Sequence, residues 1–160
     1  IKEVIIMGGA FYVKGNATQY SEFNIYADPE AANIVFKSNI NIRVIGLDVC
    51  DEVIINREKF YKSKYLFTKS ETKSSKFSDL IIDSFFTFHT NKSEMSLCDP
   101  IAVVCLFNKD LFEYKLKNVS VVLDVFNKGQ TVPSAQKGNV HIAVNLNANE
   151  VMQIIDQSLS

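Results

Sequence analysis

The sequence predicts an α/β fold with a mostly parallel central sheet and flanking helices, and three observations predict it. "VIIMGGA" and "IRVIGLDV" are short, β-branched apolar runs of the kind that form strands buried on both faces. "ADPEAANIVF" between them carries a marked helix start. Strand, helix and strand in that order make a βαβ unit, for which a right-handed crossover is expected.

The first strand lies in "VIIMGGA", where two glycines mark a sharp turn. A polar stretch follows, "GNATQYSEFNIYADPEAA", residues 15–32. The next helix takes Asp28 as N-cap, Pro29 at its first position and Glu30 in its first turn. "IRVIGLDV" is the second strand. The charged, Lys/Ser-rich segment from Asp51 to Ser78 holds a helix near "NREKFYKSKYLF" and then an exposed loop. "FSDLIIDSFFTFHT" reads as a strongly apolar helix. "CDPIAVVCLFN" reads as a buried helix with Asp99 as N-cap and Pro100 at its first position. "NVSVVLDVF" and "NVHIAVNLN" are two late strands, joined by a loop with Gly129, Pro133 and Gly138 and paired as a hairpin-like extension. "ANEVMQIIDQSL" is a closing helix. There is no internal repeat and no low-complexity tract.

The 160 residues suffice for one domain with one core, and 47% hydrophobic against 22% charged is an ordinary globular balance. A net charge of -1 gives no reason to expect nucleic acid or an anionic membrane as a partner. No apolar run reaches the roughly 18 residues of a membrane span. The opening "IKEVIIMGGAF" lacks the basic region and cleavage site of a signal peptide and reads as a buried strand. Cys50, Cys98 and Cys105 form an odd set without CxxC spacing, which argues against disulfides and zinc and for a reducing compartment. "NKS" at Asn91 and "NVS" at Asn118 match the glycosylation pattern by chance. The strand so close to Ile1 suggests the C-terminal portion of a longer protein.

In open α/β sheets, ligands bind beyond the carboxyl ends of the strands, where the polar stretch begins. Glu22 and Asn24, two apart in an extended segment, point to one face with Phe23 on the other. A carboxylate with the carboxamides of Asn16 and Asn24 suits a ligand with several hydroxyls, such as a sugar. The same side chains could instead cap local backbone. Asp99 has two readings as well, a helix cap or a carboxylate that binds a cation. Cys98 could be a nucleophile, an acid or a small buried hydrophobe; Cys50 and Cys105 read as buried and inert. His141 alternates within a strand and reads as structural, whereas His89 ends the Phe-rich helix and could face a cleft. Gly8-Gly9 lacks the GxGxxG spacing, and no Walker motif occurs.

"MGGAF...GNATQYSEFNIYADPEAANIVF" followed by "VIGLDV" resembles the inosine-uridine preferring nucleoside hydrolases, and "CDPIAVV" looks like that family's "HDPxAV" segment. The late strands and last helix match its C-terminal order. The resemblance implies residues 1–160 as the C-terminal portion of a single nucleoside hydrolase domain. It implies an N-ribohydrolase that releases ribose and a free base from a small-molecule ribonucleoside. It further implies a calcium ion that binds the nucleophilic water and the ribose hydroxyls, with Asp99 as a ligand. Calcium's preference for many oxygen ligands suits that role. Asn16, Glu22 and Asn24 would hold the ribose, Met7 would pack under it, and Phe23 would line the pocket near the base. Asn24 and Cys98 are the implied catalytic positions, Cys98 standing where many members carry a histidine that protonates the leaving base. Phe86 and His89 are the implied base contacts. The family's aspartate-rich DxDPGxDD-like motif has no counterpart here, so the missing N-terminal half is an expected partner. A cytoplasmic, homo-oligomeric salvage enzyme is the implied whole, and a ribose- or nucleoside-binding homologue without turnover is the alternative.

Overall fold

A computed structural model describes residues 1–62 and 72–159 of the chain. Its centre is a four-stranded sheet in the order β1-β2-β8-β5, formed by β1 (Val4–Met7), β2 (Ile42–Ile45), β8 (Val140–Leu146) and β5 (Phe112–Lys117). β1 pairs parallel with β2 and β2 parallel with β8; β5 closes the far edge antiparallel to β8. The α/β, mostly parallel architecture is therefore as the sequence predicts. β2 and β8 occupy the middle, and Ile42, Val44, Ile45, Val140, Ile142 and Ala143 are fully buried there.

Around the sheet stand α1 (Phe23–Ala27), α2 (Pro29–Phe36), α3 (Leu47–Cys50), α4 (Arg57–Lys62), α5 (Lys73–Phe88), α6 (Cys98–Phe107) and α7 (Ala148–Leu159). α2 begins as expected: the Asp28 carboxylate accepts from Ala31 N at 3.0 Å and Pro29 needs no amide partner. Two small antiparallel pairs complete the fold, β3 (Ile54–Asn56) with β4 (Glu94–Ser96) and β6 (Val119–Val121) with β7 (Thr131–Pro133).

Several elements differ from expectation. The second strand stops at Ile45, because Gly46 turns the chain into α3 and the "LDV" tail becomes helix. The helix near "NREKFYKSKYLF" begins at Arg57; the stretch 63–71 lies outside the described residues. α5 begins at Lys73, capped by the Thr72 hydroxyl on Ser75 N, so a helix replaces the end of the expected loop. The late hairpin is also re-paired. Residues 119–121 take 131–133 as partner, within the segment expected as loop, and β8 pairs with the unforeseen β5. No helix of the described residues is long and apolar enough to cross a membrane.

Candidate functional site

Beyond the carboxyl end of β1 the chain turns through Gly8 and Gly9 into the polar stretch. Gly9 has φ +87°, a left-handed backbone that side chains disfavour, and a Cβ there would stand 2.8 Å from the Phe11 ring. Three side chains from other segments hold this turn. Glu22 Oε2 accepts Gly9 N at 3.1 Å. Thr131 Oγ1 accepts from Ala10 N at 3.1 Å and donates to Ala10 O at 2.9 Å. Asp48 accepts from Phe11 N at 3.0 Å and from Tyr12 N at 2.7 Å.

Residues 23–27 are helical rather than extended, and Glu22 is the N-cap of α1. Its carboxylate, 2% exposed, also accepts Asn24 N at 2.8 Å and Ile25 N at 3.1 Å. Three backbone donors thus converge on one buried carboxylate, which has room for about one more among its four or so acceptor positions. Asn16 Oδ1 accepts from Phe23 N at 2.8 Å, so the expectation that these side chains cap local backbone holds for Asn16 as for Glu22. Among the described residues the Asn16 amide nitrogen, with its two N–H donors, and the Asn24 amide oxygen, an acceptor, have no hydrogen-bond partner.

An open cavity of about 820 Å³ is lined by Met7, Asn16, Glu22, Phe23 and Asn24 on one side and by Cys98 and Asp99 on the other. Ile55, Ile81, Met95 and Val103 add an apolar wall. Phe86 and His89 are not among the lining residues. Phe86 is fully buried against Phe60 and Phe85. His89 is the exposed C-cap of α5, with its ring stacked on Phe85 and Nδ1 at 2.9 Å from Phe85 O.

Asp99 is not the cap expected of it. Leu97 is the N-cap of α6 and its carbonyl already accepts Ile101 N at 3.0 Å, so the helix starts at Cys98. Asp99 falls inside the first turn, where a carboxylate meets the positive end of the helix dipole. Pro100 sits in the same turn, where an amide proton is not required. The Asp99 carboxylate is exposed and accepts no hydrogen bond among the described residues. Next to it, hydrogen bonding with Cys50 pulls the Cys98 thiol below its ordinary value, against burial and the nearby Asp99 and Asp51. The same contact, with burial, pushes Cys50 far up. Cys50 keeps its proton, with Gly46 O 3.2 Å from its sulfur.

Asp48 and Thr131 were missed by sequence reasoning. Asp48 stands three residues beyond the end of β2, in the first turn of α3, a signal that could have found it; Thr131 carries none. Among the described residues no group of three His, Cys, Asp or Glu side chains is placed to hold a metal ion.

A cavity at the carboxyl end of a parallel strand, bounded by a polar turn and a helix N-terminus, stands where open α/β sheets take their ligands. The model of the family described as "Inosine-uridine preferring nucleoside hydrolase" matches residues 1–153, and the chain belongs to that family. It is 32% identical over 166 residues to the non-specific ribonucleoside hydrolase RihC of Escherichia coli O17:K52:H18 (strain UMN026 / ExPEC), covering 100% of this chain and 52% of the relative. It is 31% identical over 169 residues to the pyrimidine-specific ribonucleoside hydrolase RihA of Salmonella newport (strain SL254), covering 99% and 53%. Among solved structures it superposes on the plant nucleoside hydrolase PpNRh1 with TM-score 0.87 and 27% identity, covering 98% of this chain and 53% of that one. The chain thus spans about half the length of these relatives.

Proposed function

We propose that this chain supplies the ribose-binding and leaving-group walls of a ribonucleoside hydrolase, which cleaves the N-glycosidic bond to ribose and free base. The observation that carries the reading is the meeting of Asn16, Glu22, Asn24, Cys98 and Asp99 around one cavity in a chain of this family. The open donors of Asn16 and the open acceptor of Asn24 suit hydroxyls, and the apolar wall suits a flat base. Cys98, which lines the cavity beside Asp99, is the residue of this chain proposed to face the departing base.

Calcium belongs to this reading only in part. Asp99 offers one exposed carboxylate, whereas calcium takes roughly six to eight oxygens. Among the described residues no group of three His, Cys, Asp or Glu side chains forms around it. The donor set of this chain therefore does not fit the ion by itself, and the chain alone is expected to bind rather than turn over. That shortfall also favours a second reading, a ribose- or nucleoside-binding homologue without catalysis. A reducing, cytoplasmic setting is supported by three free thiols, Cys50, Cys98 and Cys105.

The test is calorimetric titration of the chain with uridine, inosine, their 2′-deoxy analogues and ribose. Binding of the ribonucleosides that weakens for the deoxy analogues is expected. Equal affinity for both sugars, or none for either, would remove the ribose assignment. A chromatographic assay for free base, with and without calcium, then separates hydrolase from binding protein.

A further inference from the structure

Two of the three thiols touch each other. Cys50 ends α3, Cys98 begins α6, and their side chains are hydrogen-bonded. The segments that carry them are laced together beside that contact. Leu97 N donates to Val53 O at 2.9 Å, the Ser96 hydroxyl donates to Asp51 Oδ1 at 2.6 Å, and Ile54 stands opposite Ser96 in the ladder of β3 and β4. The two sulfurs are therefore held side by side by the pairing around them.

Their access differs. Cys50 is fully buried, with Gly46 O 3.2 Å from its sulfur, whereas Cys98 is half-buried and lines the main cavity. Cys105 shares neither property: it is buried with its sulfur 3.2 Å from the Tyr114 hydroxyl, and it does not line the cavity. An accessible thiol backed by a second one is the arrangement of a reversible redox site, in which one sulfur meets the oxidant and the other resolves it. In a reducing setting a disulfide of this kind is transient rather than structural. The carboxylates of Asp51 and Asp99 near Cys98 favour a small neutral oxidant over an anionic one.

We propose that Cys98 is a site of reversible oxidation by hydrogen peroxide, resolved by Cys50 as an intrachain disulfide that staples α3 to α6 at the wall of the cavity. The Cys98 sulfur attacks one peroxide oxygen and the O–O bond breaks. Cys98 sulfenic acid forms, and the other oxygen leaves with the thiol proton as water. The Cys50 sulfur then attacks the Cys98 sulfur. The S–S bond forms, the S–O bond breaks, and the hydroxyl leaves with the Cys50 proton as a second water. The two thiols together lose two electrons, and the peroxide gains them. The product has no S–H at the cavity wall where Cys98 carried one. This chemistry needs only two sulfurs and an entry path, so it is independent of the hydrolase reading.

The test treats the reduced chain with hydrogen peroxide and reads intact mass, followed by peptide mapping without reduction. A loss of about 2 Da is expected, reversed by dithiothreitol, with Cys50 and Cys98 in one linked peptide pair and Cys105 still open to alkylation after unfolding. In Cys50→Ala the reaction should stop at a gain of about 16 Da on Cys98, captured by dimedone as a sulfenic acid. Cys98→Ala should slow the first oxidation at least about tenfold. The wild-type map decides even where a variant folds poorly. Peroxide that leaves Cys50 and Cys98 as free thiols overturns the proposal. So does sulfinic acid at Cys98 with Cys50 untouched, or a disulfide that involves Cys105 or joins two chains.

Discussion

Asn24 touches Met7 at two atoms: its amide nitrogen lies 3.1 Å from the Met7 sulfur and donates, at a long 3.4 Å, to the Met7 carbonyl oxygen. The start of α1 is thereby tied to the last residue of β1, and the Asn24 amide oxygen is left for a ligand. Glu22, two residues earlier, also borders the cavity but gives three of its roughly four acceptor positions to backbone amides. Two cavity-lining residues two positions apart therefore differ in what else they do, Glu22 fixing the turn and Asn24 keeping its amide oxygen open.

Asn24→Ala should cost little folding stability, within about 0.5 kcal/mol, because the exposed side chain makes only these two weak contacts. Affinity for a ribonucleoside should fall about tenfold, the worth of one good hydrogen bond. Urea denaturation beside calorimetric titration measures both. A large loss of stability with unchanged affinity would assign Asn24 to the scaffold.

Glu22→Ala should behave in the opposite way. It leaves Gly9, Asn24 and Ile25 amides without their acceptor in a buried place, which should cost about 3 kcal/mol or more. The urea midpoint should drop well below that of Asn24→Ala. A midpoint equal to wild type would mean that water or a neighbouring group can replace the carboxylate.

Asp99→Ala tests the placement of Asp99 inside the first turn of α6. Loss of a true N-cap costs about 1 kcal/mol, whereas loss of a carboxylate that only meets the helix dipole costs about 0.3–1 kcal/mol and is screened by salt. A stability change that vanishes in high salt is expected. In a full-length relative-type enzyme, the same substitution should remove calcium binding in a titration; retained binding would strip Asp99 of the ligand role.

His141 should make the fold sensitive to mild acid. Burial first, and then Arg43, hold its imidazole below the usual range, with Glu3 opposing. The unfolded chain therefore takes up this proton at a higher pH than the folded one. The stabilising contribution is complete above the unfolded value of about 6.5 and is lost as pH falls through the folded value. Denaturation midpoints between pH 7.5 and 5 should fall less steeply in His141→Gln. An unchanged slope would show that other groups set the acid response.

Much of this was legible in the sequence, for identifiable reasons. β1 and α2 carry strong local signals, an apolar run and an Asp-Pro start, and α7 carries a clean helical period. α1 was not legible because a five-residue helix has almost no period and its cap is a glutamate rather than the usual serine or aspartate. "FEYKLK" alternates perfectly, yet its role in the main sheet depends on β8, some 25 residues later, which no local pattern specifies. β7 was hidden by Pro133, which is tolerated because it ends a short strand. At the site, Asn16, Asn24, Cys98 and Asp99 were legible as polar residues at a strand end and a helix start. The geometry that separates Glu22 from Asn24 was not, since it depends on where Gly9 and Met7 lie.

The paired bonds between Thr131 and Ala10 join positions 121 residues apart. The turn beyond β1 is therefore not locked until the ribosome has delivered a threonine far downstream. Closing so long a loop is slow compared with forming local helices. We expect this turn to mature late during synthesis, with Ala10 acquiring exchange protection only in nascent chains long enough for residue 131 to have cleared the exit tunnel.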